Sequence, residues 1–223
     1  MDVKHIGVVI PAYNAEMTIT SVIRELIDYG FRRDNIIVIN DGSRDKTYEV
    51  IKSAGVCVVN HTKNMGKGAS LKDGFDAARQ KKLQKVITLD ADGQHRATEI
   101  ENFLSCQDDY DMIIGTRIIG GDMPFVRRMV NRTTSLIVSL FSEKYIPDSQ
   151  SGFRYIDLQI FDRVRLQTNR YQTESEMVFK AARYHYEIGF VPITTLYNNE
   201  RSYIKPFVDT VRFLRMLAGF LWR

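Results

Sequence analysis

Asp90 and Asp92 stand at i and i+2 in the run Leu89-Asp90-Ala91-Asp92-Gly93-Gln94, and Gln94 adds an amide oxygen two residues on. Just past a strand, both carboxylates can turn toward one crevice. Oxygen ligands of this kind suit Mg2+ or Mn2+ bound together with a diphosphate. The cation would act as a Lewis acid on negative charge developing at a departing phosphate. A solvated turn can carry the same residues, so this run alone leaves both readings open.

A second acidic position lies in Asn40-Asp41-Gly42-Ser43-Arg44-Asp45-Lys46-Thr47. Ser43 or Asp45 can cap the helix that follows. Asp41 is left over, and a carboxylate at the end of a strand can accept hydrogen bonds from a base or ribose. Two arginines also follow short apolar or glycine-containing runs: Arg117 in Gly115-Thr116-Arg117 and Arg154 in Ser151-Gly152-Phe153-Arg154. Both are expected to point into the crevice. With Arg132, Arg201 and Lys205 they would bind phosphate groups, because guanidinium forks match phosphate oxygens bidentately. His5, His61, His95 and His185 show no metal-ligand spacing and read as incidental, and no nucleophilic triad is present.

The elements that would position these residues alternate. Residues 6–10 (IGVVI), stopped by Pro11, read as a buried strand. A helix at 15–29 follows, with Ile19, Val22, Ile23, Leu26 and Ile27 at helical spacing and Gly30 closing it. Strands at 36–39, 56–59, 86–89 and 112–115 alternate with helices from about 45 to 55, at 68–82 and at 98–106. That order implies a doubly wound, mostly parallel sheet, with ligands at the carboxyl ends of the strands. Beyond Gly121 the spacing predicts helices at 125–141, 155–166 and 174–184 and a strand at 189–193.

The 223 residues are 44% apolar and 26% charged, which fits one domain with a full core. Two cysteines outside any metal spacing exclude a disulfide framework and a zinc site, and point to the cytosol. No run reaches the roughly 18 to 20 apolar residues of a spanning helix, and no signal pattern opens the chain. The net charge of +4 gathers as arginine and lysine in the second half, which suggests an anionic partner. Nucleic acid lacks a supporting motif. The segment 206–223 is amphipathic, and reads either as a helix docked on the core or as one lying in a membrane surface.

IPAYNAE (10–16), NDGSRDKT (40–47), HTKNMGKGAS (61–70), LDADGQ (89–94) and SGFR (151–154) occur in the order of glycosyltransferase family 2, which the chain resembles over most of its length. Within that family, DADGQ followed by GTR, DSQSGFR and a C-terminal ERS is most similar to the polyprenyl- or dolichyl-phosphate sugar transferases. The resemblance implies a GT-A fold and an inverting reaction on a UDP- or GDP-linked sugar. Pro11, Ala12, Tyr13, Glu16, Asp41, Asp90 and Ala91 would hold the nucleotide-sugar, Lys67 could reach its phosphates, and Asp90, Asp92 and Gln94 would hold the metal. The glycines around Lys67 read as a flexible helix entry. About 1–117 would bind the nucleotide-sugar and about 118–205 the acceptor, at the cytoplasmic face of a membrane and with peripheral contact to it.

A phosphate-monoester acceptor, with a second pKa near ~6, is already largely ionised at neutral pH and needs positioning more than a base. Arg117, Arg132, Arg154 and Lys205 would then carry the reaction, with Arg201 beside them at the acceptor phosphate. A hydroxyl acceptor would instead need a carboxylate base. Asp148, in DSQSGFR, is the first candidate and Glu174 and Glu176 follow, although capping and pairing explain all three equally. A sugar-nucleotide binding module without catalysis is the remaining alternative.

Overall fold

The computed structural model describes residues 3–117 and 125–194, with the main chain alone over 125–127, and residues 211–213, 215, 216 and 219. Seven strands form one sheet in the order β3-β2-β1-β4-β6-β5-β7. They are β1 Ile6–Ala12, β2 Ile36–Asn40, β3 Cys57–Asn60, β4 Lys85–Thr88, β5 Met112–Arg117, β6 Arg154–Asp157 and β7 Ile188–Ile193. The helices are α1 Ile19–Tyr29, α2 Thr47–Ser53, α3 Lys67–Gln80, α4 Ile100–Leu104, α5 Phe125–Ser142 and α6 Gln172–Arg183. All pairings are parallel except those of β6, which runs antiparallel to both β4 and β5. This is the GT-A type of mostly parallel sheet flanked by helices.

Side chains alternate across the sheet into two core layers. Val8, Ile10, Ile36, Val38 and Ile87 pack with Val22, Ile23 and Leu26 of α1. Val9, Ile37, Ile39, Val86 and Met112 pack with Leu71 and Phe75 of α3 and with Met177 and Val178 of α6. Each such burial contributes about 1.5–3 kcal/mol. With both faces covered, the central strands are apolar throughout, and this is why they read so clearly in the sequence.

The expected helix over 155–166 does not form. Residues 154–157 are instead β6, and a 3-10 turn, Leu158–Asp162, follows. Tyr155 enters one core layer and Ile156 the other, so no polar face marks the period of two. The backbone groups on the facing edges of β4 and β5 need partners, and only an extended segment can satisfy both at once. Because β6 is antiparallel, its first residue lies opposite Thr88 at the carboxyl end of β4. The run 148–153 is thereby delivered to the crevice. The expected helix at 98–106 is shorter than read, a 3-10 turn at Ala97–Glu99 leading into α4.

The described residues of the terminal segment are helical, and Phe213 and Met216 are buried in the layer that holds Val138 of α5. The rest of 206–223 lies outside the described residues.

Candidate active site

At the carboxyl ends of β4 and β1, Lys67 opens α3 and places its Nζ 2.6 Å from Asp90 Oδ1 and 2.9 Å from Glu174 Oε1. Burial would lower the Lys67 ammonium, but the two carboxylates outweigh it and hold the group well above its ordinary pKa. Burial would likewise raise Asp90, and the ammonium beside it keeps that carboxyl below its usual range. Each member of the pair thus favours the charged form of the other. A Cβ on Gly152 would lie 2.8 Å from both Lys67 Nζ and Asp90 Oδ2, so this ion pair occupies space that only glycine leaves open.

The glycines around Lys67 also prove to be packing residues rather than a flexible entry. A Cβ on Gly68 would meet Thr173 Oγ1 at 1.8 Å, and the Ala69 N–H donates to the Asn169 carbonyl at 3.1 Å. The start of α3 is pressed against the start of α6, and this contact brings Glu174 to Lys67.

The acidic run is fixed beside this pair. The Thr18 hydroxyl donates to the Ala91 carbonyl at 2.7 Å, and Asp92 Oδ1 accepts the Gln94 N–H at 3.0 Å. Among the described residues no three His, Cys, Asp or Glu side chains form a metal cluster. Two aspartates and an amide are a sparse set of hard oxygen donors. That set fits Mg2+ or Mn2+, which keep water and substrate phosphates as their other ligands. Asp92 and Gln94 would hold the ion, with Asp90 shared with Lys67. His95 is buried against the Phe153 ring, centroids 5.2 Å apart, and burial pulls its imidazole below the ordinary value.

Asp41 departs from its expected exposure to a base or ribose. It is 3% exposed, and its oxygens accept hydrogen bonds from His61 Nδ1 and from the Met65 and Gly66 N–H groups, each at 2.8 Å. His61, read as incidental, is therefore bonded to a residue of this crevice. Its signal was present in the sequence only as a polar residue directly after β3. Glu16 also turns to its own chain, where its carboxylate accepts the Lys46 N–H at 2.9 Å while the Glu16 N–H donates to Asp45. Asn14 and Ala15 make similar bonds to Ser43 and Thr47, which lace the loop after β1 to the loop after β2. Pro11 and Tyr13 are partly exposed at that junction, whereas Ala12 is buried and its carbonyl accepts the Asp41 N–H.

On the other flank Arg117, at the end of β5, grips Asp148 with two bonds, Nε to Oδ2 at 2.7 Å and Nη2 to Oδ1 at 3.0 Å. Arg117, expected at a phosphate, and Asp148, expected as a base, form a single fork-on-carboxylate pair. Glu174 belongs to Lys67. Glu176, fully buried, accepts the Gln167 and Thr168 N–H groups and pairs with Lys180 at 2.6 Å.

Arg154 does not open into the crevice. It is 1% exposed and donates to the carbonyls of Ser151, Glu174 and Ser149 at 2.7, 2.9 and 2.9 Å. Burial lowers its pKa, while Glu174 and Asp148 nearby favour the charge. Its guanidinium staples the 148–153 run to α6, and so holds the main chain that carries Asp148 and Gly152. Arg154→Leu is expected to strand these carbonyls and cost about 3–5 kcal/mol. Thermal unfolding should then show a midpoint roughly 6–20 °C lower. An unchanged midpoint would contradict the staple.

Arg132 is exposed on α5 and makes no ion pair among the described residues. Arg201 and Lys205 lie outside the described residues.

The sheet order and the crevice at its strand ends are those of the GT-A type of α/β fold. The crystal structure of Mycobacterium tuberculosis glucosyl-3-phosphoglycerate synthase with Mn2+, UDP-glucose and phosphoglyceric acid matches at a TM-score of 0.72 and 16% identity, over 96% of this chain and 78% of that one. That likeness is one of fold. The chain belongs to glycosyl transferase family 2, whose model matches residues 7–170, and it is a nucleotide-sugar-dependent glycosyltransferase. It is 36% identical over 200 residues to an uncharacterized protein of Methanocaldococcus jannaschii, covering 86% of this chain and 82% of that one. It is also 31% identical over 220 residues to the UDP-N-acetylglucosamine–dolichyl-phosphate N-acetylglucosaminyltransferase of Methanococcus voltae, covering 87% of this chain and 86% of that protein.

Proposed function

We propose that the chain moves a hexose, with inversion, from a UDP- or GDP-sugar to the phosphate of a polyprenol such as dolichyl or undecaprenyl phosphate. The observation that carries this reading is the state of the three carboxylates available as a base. Asp148, Glu174 and Glu176 are committed to Arg117, Lys67 and Lys180 respectively. A hydroxyl acceptor needs one of them to take a proton, whereas a phosphate monoester arrives largely ionised. The activity of the Methanococcus voltae relative, named for a dolichyl phosphate, supports the same acceptor class.

Each group then has a task. Lys67 offsets the charge of Asp90 beside the diphosphate, so that the donor does not meet an uncompensated carboxylate. Asp92 and Gln94 would hold Mg2+ or Mn2+, which when bound supplies Lewis-acid stabilisation of the leaving diphosphate. Arg117, its plane fixed by Asp148, presents a preorganised cation to the acceptor phosphate. Arg132, with Arg201 and Lys205, would complete that anion site.

No helix among the described residues is long and apolar enough to cross a membrane. Met129, Leu136, Leu140 and Phe141 are exposed on α5, with Leu140 at 68%. An apolar row on this helix suits peripheral contact at the cytoplasmic face of a membrane, the lipid chain lying along the helix.

The test is a transfer assay in detergent, with UDP- and GDP-sugars, Mn2+ or Mg2+, and dolichyl or undecaprenyl phosphate. Formation of a lipid-linked sugar is the expected result. Transfer only to a hydroxyl acceptor would overturn the acceptor assignment, and binding of donor without any transfer would make the chain a sugar-nucleotide binding module.

A further inference from the structure

We infer that His61 is a positioning residue for the nucleotide-sugar. It acts through Asp41 to hold the loop 61–66, and with it Lys67, in register with the acidic run. This rests on the donor side of the proposed function and is independent of the acceptor.

His61 follows β3 and is 8% exposed. Its main-chain N–H donates to the Asn40 carbonyl at 2.9 Å, which sets the ring between two strands' ends and α3. Nδ1 lies 2.8 Å from Asp41 Oδ1, and Nε2 lies 2.9 Å from Asp73 Oδ2 on α3. Each imidazole nitrogen thus faces a carboxylate oxygen at hydrogen-bond distance. The ring ties Asp41, at the end of β2, to the second turn of α3.

Asp41 passes this fixation on. The carboxylate oriented by His61 accepts the Met65 and Gly66 N–H groups, the last two before Lys67. Among the described residues the side chains of Thr62, Lys63, Asn64 and Met65 are exposed, so the loop has little core packing of its own to define its path. Gly42 supplies a second wall: at φ +66°, a Cβ there would lie 2.4 Å from the Lys63 carbonyl carbon. The loop therefore rests on Gly42 and hangs from Asp41, with Asn64 also accepting from Arg170 at 3.3 Å and Gly66 packed on Asn169. At its end the Lys67 ammonium reaches Asp90, 2.6 Å away. Without the imidazole, Asp41 is a buried carboxylate held by two backbone N–H groups alone. Loop and ammonium can then shift relative to Asp90 and Asp92, and a misplacement on that scale is felt at a phosphate site.

The test measures binding of UDP and of GDP, each with Mn2+, by titration calorimetry, alongside thermal unfolding. His61→Ala is expected to weaken the bound nucleotide about tenfold or more, the loss one charge-assisted hydrogen bond carries. His61→Gln, which keeps one donor toward Asp41, should recover part of it. Asp73→Ala, at a side chain 44% exposed, removes the outer anchor with little risk to folding and should weaken binding by a smaller factor of about three to five. It decides the matter if His61→Ala does not fold. In turnover, donor KM should rise while acceptor KM stays at the parental value. Parental nucleotide affinity in Asp73→Ala and in folded His61→Ala would overturn the inference, whatever happens to the unfolding midpoint. A parental chain that binds neither nucleotide would instead overturn the donor reading, and failure with lipid phosphate alone would overturn only the acceptor.

Discussion

Arg117→Met is expected to lower turnover with a phosphate acceptor by more than about a hundredfold and to destabilise the chain by about 3–5 kcal/mol. The two losses have one origin. Asp148 is 2% exposed and held by both bonds of the Arg117 fork, so removing the guanidinium leaves a buried carboxylate uncompensated. Reversal to glutamate would set two carboxylates together and damage the fold as well. The informative experiment is the pair Arg117→Met and Arg117→Met with Asp148→Leu. Replacing both members by apolar groups removes the stranded charge and should restore most of the unfolding midpoint. Turnover should remain low, because the preorganised guanidinium of Arg117 no longer faces the acceptor. Recovery of activity together with stability would show that Arg117 serves only to hold Asp148.

Asp92→Asn is the second large effect, expected to lower turnover by roughly 10²–10³-fold with little change in the unfolding midpoint. An asparagine oxygen can still accept the Gln94 N–H that Asp92 Oδ1 accepts at 3.0 Å, so the turn keeps that bond. What is lost is the negative charge that a hard divalent cation requires. Nucleotide binding measured with and without Mn2+ separates the roles. The parental chain should gain affinity on adding the ion, and the variant should gain little. Parental turnover in Asp92→Asn would remove this residue from the metal site. Asp90→Asn is a poorer probe, since it also disturbs the buried Lys67 ammonium.

Much of the donor half was legible because its signals are local. Strands β1, β2 and β4 are apolar on both faces and lead into Tyr13-Asn14, Asp41-Gly42 and Asp90, so both their existence and the place of the crevice could be read, although β1 runs through Pro11 to Ala12 instead of stopping at the proline. β6 was missed for the same reason that those strands were found. Its two central residues, Tyr155 and Ile156, enter opposite core layers between the charged Arg154 and Asp157, so four residues show no alternation that separates a period of two from one of 3.6. The misreading mattered, because an antiparallel β6 is what brings Asp148, Gly152 and Arg154 to the rim.

The residue types and their order along the chain settled the family, the sheet type and the acidic run, since backbone preference, hydrophobic pattern and short motifs act over a few neighbouring residues. Only the tertiary structure decided which charge meets which. Arg117 finds Asp148 across 31 positions, Lys67 finds Asp90 and Glu174, His61 finds Asp41 and Asp73, and Arg154 turns inward to three carbonyls. Coulomb attraction and hydrogen bonding depend on separation in space and on desolvation, and neither is a property of sequence spacing. A list of cations and carboxylates therefore names the components of the site but not their pairing, and the pairing determines which groups remain for a substrate.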